Sequence, residues 1–314
     1  MRGRESLGVY LRGIVMGAAD AVPGVSGGTI ALLTGIYPRL IAAITAVEPD
    51  RLLNIAAAPL PARRADAVDA FREIDGSFLA ALGLGIATAL VTVSRVLEHA
   101  MAAYPAATFG GFFGFIGASA WLLRGEMRFD TRDQQAAAVA GFAVAFLLSG
   151  QAEGALGHSP VVTFLAGTVA VSAMILPGVS GSLLLLLLGQ YAYMIDHLNA
   201  FIDALLAVAR GGTVALPPGT PTIVTFLAGA VVGLFTVAHA VRWALDRGRA
   251  ATMTFLVALV VGALRAPVVQ TGQRLEAGWS PAAIGLFAVA AVVGAAVVIG
   301  IEWATSGEMV TPDA

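Results

Sequence analysis

Residues 20–37 read DAVPGVSGGTIALLTGIY, and residues 174–191 read MILPGVSGSLLLLLLGQY. The same Pro-Gly-Val-Ser-Gly run thus interrupts two apolar stretches, 154 residues apart. Proline removes a backbone donor and glycine loosens the chain, so each run ends a helix. Inside hydrocarbon, the backbone groups set free have no water to bond. A chain that breaks twice in this way must supply other partners at both breaks, and it must have a use for them.

The hydrocarbon setting follows from composition. Hydrophobic residues make up 58% of the chain and charged residues 12%, against about 25% charged in a soluble domain. Several windows exceed the roughly 18 apolar residues of a spanning helix. The fold class expected is an all-α polytopic membrane protein. There is no cysteine, which excludes disulfides and thiolate chemistry. The polar break after the first apolar segment is not a small-residue cleavage site, so no cleavable signal is expected.

The two motifs anchor a longer repeat. Phe78-Leu79-Ala80 recurs at Phe226-Leu227-Ala228, Thr108-Phe109 at Thr254-Phe255, and Phe142 to Ala145 at Phe287 to Ala290. This order predicts an N-terminal repeat over 1–150 and a C-terminal repeat over 151–314 within a single membrane domain. Each is read as a re-entrant helical hairpin, about 7–47 and about 159–199, followed by three transmembrane helices. Those spans are placed near 78–98, 105–124 and 135–150, then 222–245, 251–270 and 281–303. A polar stretch at 48–76 is placed at a membrane surface.

Charge chooses between topologies. If each broken element enters and leaves by one face, three crossings per half invert the second half. An inside N-terminus then keeps every arginine inside except Arg95, Arg210, Arg265 and Arg274, fourteen of the eighteen basic residues. If each broken element crosses once, only seven lie inside. The positive-inside rule favours hairpins, with both termini cytoplasmic and the plasma membrane as location. Inverted repeats with broken helices dipping from opposite faces are the plan of secondary transporters.

The breaks carry chemistry suited to an anion. Where a helix restarts, its first N–H groups lack intrahelical partners and carry positive partial charge. Glycines permit close backbone approach, and hydroxyls add donors. The candidate substrate-binding residues are Pro23, Gly24, Val25, Ser26, Gly27, Gly28 and Thr29 in the first copy. In the second they are Pro177, Gly178, Val179, Ser180, Gly181 and Ser182. The bland alternative is a tight turn with a serine cap. Asp20, three residues before Pro23, is a candidate for carrying a proton, pairing with Arg12 or Arg39, or capping the break. Its counterpart is Met174. Arg39 is a candidate headgroup contact. Tyr37 and Tyr191, at matched positions, read as interface anchors. Gly110, Gly114, Gly117, Gly229 and Gly233 suit close helix packing. The four histidines show no metal-ligand spacing, and no metal site is expected. No cofactor motif, catalytic domain or nucleic-acid surface is present, which leaves proton or ion coupling as the accessory chemistry.

The stretches GIVMGAADAVPGVSGGTIALLTGIYPRLI (13–41) and ILPGVSGSLLLLLLGQY (175–191) closely resemble the PopT family of polyprenyl-phosphate transporters, formerly a domain-of-unknown-function family. The resemblance implies a flippase that returns undecaprenyl phosphate, or a related lipid phosphate, from the outer to the inner leaflet. It implies that the two breaks hold the headgroup, with Asp20 and Arg39 nearby. It implies partners that are polyprenyl-phosphate and membrane lipids. Two alternatives stay open. One is a carrier or channel for another small anion. The other is a polyprenyl-diphosphate phosphatase, although Gly27 and Gly181 stand where such enzymes look to need an arginine.

Overall fold

The computed structural model describes residues 3–59, 63–173, 180–212 and 216–306. Among these residues every regular element is helical. The contacts divide the chain into two compact units. The smaller contains the first helix up to Ala19, and Gly27–Thr92; the larger contains Asp20–Ser26 and the chain from Val93 onward.

The smaller unit is built from α1 (Gly3–Ala21), α2 (Gly27–Leu33), α3 (Tyr37–Thr45), α4 (Pro49–Ala56), α5 (Arg64–Glu73) and the first part of α6 (Gly76–Ala103). Its core gathers Val9, Ala31, Ile36, Leu40, Phe78 and Leu82. Helices α1 and α6 cross at small residues. A Cβ added at Gly13 would lie 2.4 Å from the Leu82 carbonyl oxygen, and one at Gly85 would lie 2.2 Å from that of Tyr10. Small residues let two membrane helices pack backbone to backbone, where the hydrophobic effect offers no drive. The polar stretch expected at 48–76 folds as α4 and α5, two short helices in place of a loop.

The larger unit continues with the rest of α6, α7 (Pro105–Leu123), α8 (Arg132–Leu156), α9 (Pro160–Ala173), α10 (Gly181–Leu187), α11 (Tyr191–Ala209), α12 (Thr220–Ala263), α13 (Arg265–Arg274) and α14 (Pro281–Ser306). Non-helical backbone at Gly248 divides α12. Proline in the first turn starts α3, α4, α7 and α12, where its missing N–H costs nothing. A capping box of Thr131 and Gln134 starts α8. The main helix packings are α7 on α14, and α8 and α9 on α12.

Five helical segments among the described residues are long and apolar enough to cross a membrane: Gly76–Ala103, Pro105–Glu126, Tyr191–Ala209, Trp243–Arg274 and Pro281–Trp303. The chain is an all-α polytopic membrane protein. On α14, Val289, Val292 and Val293 are more than half exposed, which suits a face turned to lipid. The sequence reading runs 29–47 and 181–199 as continuous segments. The structure instead ends a short helix inside each, at Gly35 and Gly189, for a reason given below.

Gly110 and Gly114 serve the close packing expected of them, against Phe287 and Ala291 of α14, and so do Gly229 and Gly233 against α9. Gly117 does not: an added Cβ would meet only the Leu264 side chain, at an ordinary 3.7 Å. At Gly114 a Cβ would fall 2.0 Å from the Ala291 carbonyl oxygen. Gly114→Ala should therefore lower the melting temperature of the detergent-solubilised protein, at a cost of about 1–3 kcal/mol. Gly117→Ala in the same assay should be close to neutral.

Candidate functional site

The first break begins where α1 ends. The Val25 N–H donates to the Val22 carbonyl at 3.2 Å, closing a four-residue turn with Pro23 and Gly24 in the middle. Gly24 has φ +94°. Proline followed by a glycine with positive φ is the signature of a type II turn. A side chain at Gly24 is excluded on a second ground, since its Cβ would sit 2.8 Å from the Ile116 nitrogen on α7. Breaking α1 frees carbonyls, and side chains of the larger unit meet them. The Tyr191 hydroxyl, on α11, donates to the Ala21 carbonyl at 2.5 Å. The Ser119 hydroxyl, on α7, donates to the Gly24 carbonyl at 2.7 Å. Pro23 and Ser26 are buried, and Asp20, Gly24 and Val25 are half-buried.

After the break, α2 runs seven residues from Gly27; Gly27 is buried, and Gly28 and Thr29 are half-buried. The helix closes with a Schellman motif. The Ile36 N–H bonds the Ala31 carbonyl at 3.0 Å, and the Gly35 N–H bonds that of Leu32 at 3.1 Å. Gly35 takes φ +69°, as glycine at this position allows. Helix α3 then starts at Tyr37.

The second break repeats these features at the same 154-residue offset. Pro177, Gly178 and Val179 lie outside the described residues, as does Met174. Helix α10 runs seven residues from Gly181. The Gln190 N–H bonds the Leu185 carbonyl at 2.9 Å, and the Gly189 N–H bonds that of Leu186 at 3.1 Å. Gly189 takes φ +65°, and α11 starts at Tyr191. Ser180 is the N-cap: its hydroxyl accepts from the Leu183 N–H at 3.4 Å and pairs with the Ser182 hydroxyl at 2.9 Å. Both serines and Gly181 are buried. The cap expected as the bland alternative is therefore real at Ser180. A ligand there would have to compete with the bond between the two hydroxyls.

Arg39 is engaged within the smaller unit. Its Nε donates to Asp75 Oδ2 at 2.6 Å and its Nη2 to Asp75 Oδ1 at 3.2 Å, a bidentate pair. Its Nη1 donates to Glu5 Oε1 at 3.0 Å, and the guanidinium lies 4.4 Å from the centre of the Phe78 ring. The hydrogen bond from Arg39 holds the Asp75 carboxyl below its ordinary value of 3.8. Arg39, Glu5 and Asp75 line a chamber of about 880 Å³ together with α4 and α5.

Three features were missed from the sequence. Tyr191 is not an interface anchor: it is 3% exposed and its hydroxyl serves the first break. The clamp on Arg39 was unseen, because its partners lie 34 and 36 residues away. A polar ladder also joins α6 to α11 inside the larger unit. The Ser94 hydroxyl donates to Asn199 at 2.6 Å, Asn199 donates to Glu98, and Arg95 pairs with Asp203. Polar residues recurring on the last turns of 78–98 were the available signal for that ladder.

A family model described as undecaprenyl phosphate translocase-like matches residues 16–281. A protein of Vibrio cholerae serotype O1 (strain ATCC 39315 / El Tor Inaba N16961), named polyprenyl-phosphate transporter, is 35% identical over 238 residues. That alignment covers 76% of this chain and 69% of the relative. No solved structure matches the chain.

Two outcomes follow from the geometry. Tyr191→Phe strands a buried carbonyl and should cost about 1–3 kcal/mol in thermal unfolding, whereas Tyr193→Phe should cost less. The ion pair of Asp75 and Arg39 stabilises the fold fully above the ordinary carboxyl value of 3.8 and loses that effect as pH falls through the lowered native value. The wild type should therefore melt higher than Asp75→Asn at neutral pH, by about 1 kcal/mol or less. In acid below the native value the two should converge.

Proposed function

This chain belongs to the undecaprenyl phosphate translocase-like family, and we propose that it carries a polyprenyl phosphate, such as undecaprenyl phosphate, from the outer to the inner leaflet. The phosphate head is received at the two Pro-Gly-Val-Ser-Gly breaks while the prenyl tail stays in lipid. The name of the Vibrio cholerae relative supports the substrate class. The family and the relative are named for translocation and transport, which favours a transporter over a phosphatase.

One observation carries the reading. A seven-residue helix follows each break, closed by the same Schellman pair at the same offset, and buried serines stand in both breaks. A motif needed only for chain reversal would not have to recur with a matching short helix and glycine stop after it. We read 1–150 and 151–314 as inverted halves, each a hairpin and three spans, with both termini cytoplasmic in the plasma membrane.

The physical problem is the charge. An isolated ion costs tens of kcal/mol in hydrocarbon by idealised estimates. Backbone N–H groups at a restarting helix, with the hydroxyls of Ser26, Thr29, Ser180 and Ser182, lower that cost without adding a fixed countercharge. Release stays easy for the same reason. A phosphate monoester carries about −1.5 to −2 at neutral pH. Moving each negative charge inward against an inside-negative potential costs about 2.3 kcal/mol per 100 mV. The potential thus opposes the inward step, and proton uptake offsets it. We assign that proton to Asp20, which is half-buried and three residues before Pro23.

The double variant Ser26→Leu with Ser180→Leu tests the reading in reconstituted vesicles with a labelled polyprenyl phosphate. Leaflet exchange should fall more than about tenfold, since each lost bond to a charged group is worth about 1.5–3 kcal/mol, while the protein still melts cooperatively. Unchanged exchange would sink the assignment of the breaks. Flux of inorganic phosphate through wild-type vesicles would favour the small-anion carrier. Inorganic phosphate released from a polyprenyl diphosphate would favour the phosphatase.

A further inference from the structure

Helix α5 places Arg64, Ala67, Val68, Phe71 and Arg72 on one stripe, at spacings of three and four residues. Such a stripe normally packs into a core. Here it lines the chamber of about 880 Å³ instead, together with Ile55 of α4 and with Arg39. Ala67 is buried, yet Val68 and Phe71 are 48% and 41% exposed. The Phe71 ring is pressed against the start of α6, where a Cβ at Gly76 would lie 2.4 Å from it. The chamber therefore offers an apolar floor with an arginine at each end of the stripe.

The charges are unequal in their engagement. Arg39 is already matched by Glu5 and Asp75. Arg64 forms no ion pair among the described residues, and Arg72 has only Asp69 at 3.5 Å, both well exposed. Three arginines against two carboxylates leave the lining one positive charge in excess, carried by Arg64 and Arg72, while Asp66, Asp69 and Glu73 of α5 stand outside the lining. The volume is that of many waters at about 30 Å³ each and lies within the ordinary range for an organic ligand, about 300–1,000 Å³.

We propose that this chamber is a second binding site, separate from the two breaks, for the phosphate monoester head and first isoprene units of an amphiphile. Arg64 and Arg72 hold the phosphate, by the fork geometry that suits arginine to this group. Val68, Phe71 and Ile55 cover the adjoining chain. The assignment of phosphate comes from the chamber itself; the isoprenoid tail rests on the function proposed above. Because the chamber lies in the smaller unit, which carries eight of the fourteen inside-assigned arginines, the site receives the head on the cytoplasmic side. It acts as a holding point after the crossing.

The test uses the full chain in vesicles and a diazirine-bearing farnesyl phosphate as photoprobe, with peptides mapped by mass spectrometry. Labels should fall within residues 55–77. Excess farnesyl phosphate should remove them, and farnesol or inorganic phosphate should not. The double variant Arg64→Gln with Arg72→Gln should cut this labelling by about tenfold, and Arg64→Lys with Arg72→Lys should restore part of it. Val68→Glu, at an exposed position, should reproduce the loss without touching either arginine. Labelling that survives the glutamines, or equal competition by farnesol, would overturn the phosphate site and leave a plain apolar groove. Complete competition by inorganic phosphate would overturn the lipid in favour of a free-phosphate site. Leaflet exchange followed in the same vesicles separates the two proposals. Exchange without chamber labelling defeats only this site, and chamber labelling without exchange defeats only the transport reading.

Discussion

A broken helix in a membrane protein leaves carbonyls that need donors, and the arrangement around the first break is a response to that need. The Tyr191 and Ser119 hydroxyls bond the Ala21 and Gly24 carbonyls. Each comes from a different helix of the larger unit, so the turn is held from two sides. Ile116 packs against the face of Gly24 where a side chain would be. The break is thereby made rigid on its carbonyl side.

The two short helices extend this logic. A seven-residue helix is too short to be stable alone in water, so α2 and α10 depend on their flanks. Each is stopped by a glycine with positive φ and followed at once by another helix. The short helix, its glycine stop and the helix that follows recur at both motifs. Arg39 stands apart from this scheme. Two carboxylates and an aromatic ring hold it, which makes it a strut of the smaller unit and one wall of the chamber.

Much of this was legible in the residues, and the limits were physical. Pro-Gly announces its turn because a type II turn is decided by two adjacent residues. The apolar stretches announced a membrane protein because hydrocarbon demands length and composition alone. Gly35 and Gly189 were not seen as stops, because apolar residues run on past both and hide the interruption. Tyr191 looked like an anchor because its partner, the Ala21 carbonyl, is 170 residues away. Sequence spacing also could not pair Arg39 with Asp75 and Glu5, since that pairing depends on how α1, α3 and α6 meet. The division of the polar stretch 48–76 into α4 and α5, and the hollow they line, was not legible.

The central claim is that the amides opening α2 and α10 bond the phosphate head. Solid-state NMR on full-length protein in bilayers tests it directly. Backbone nitrogen is labelled in glycine, and the phosphorus of bound polyprenyl phosphate dephases it. Gly27 and Gly181 should lose signal to phosphorus, and a non-phosphorylated prenol should cause no such loss. If phosphorus is bound yet leaves both glycine signals intact, the head does not sit at the breaks and the account fails.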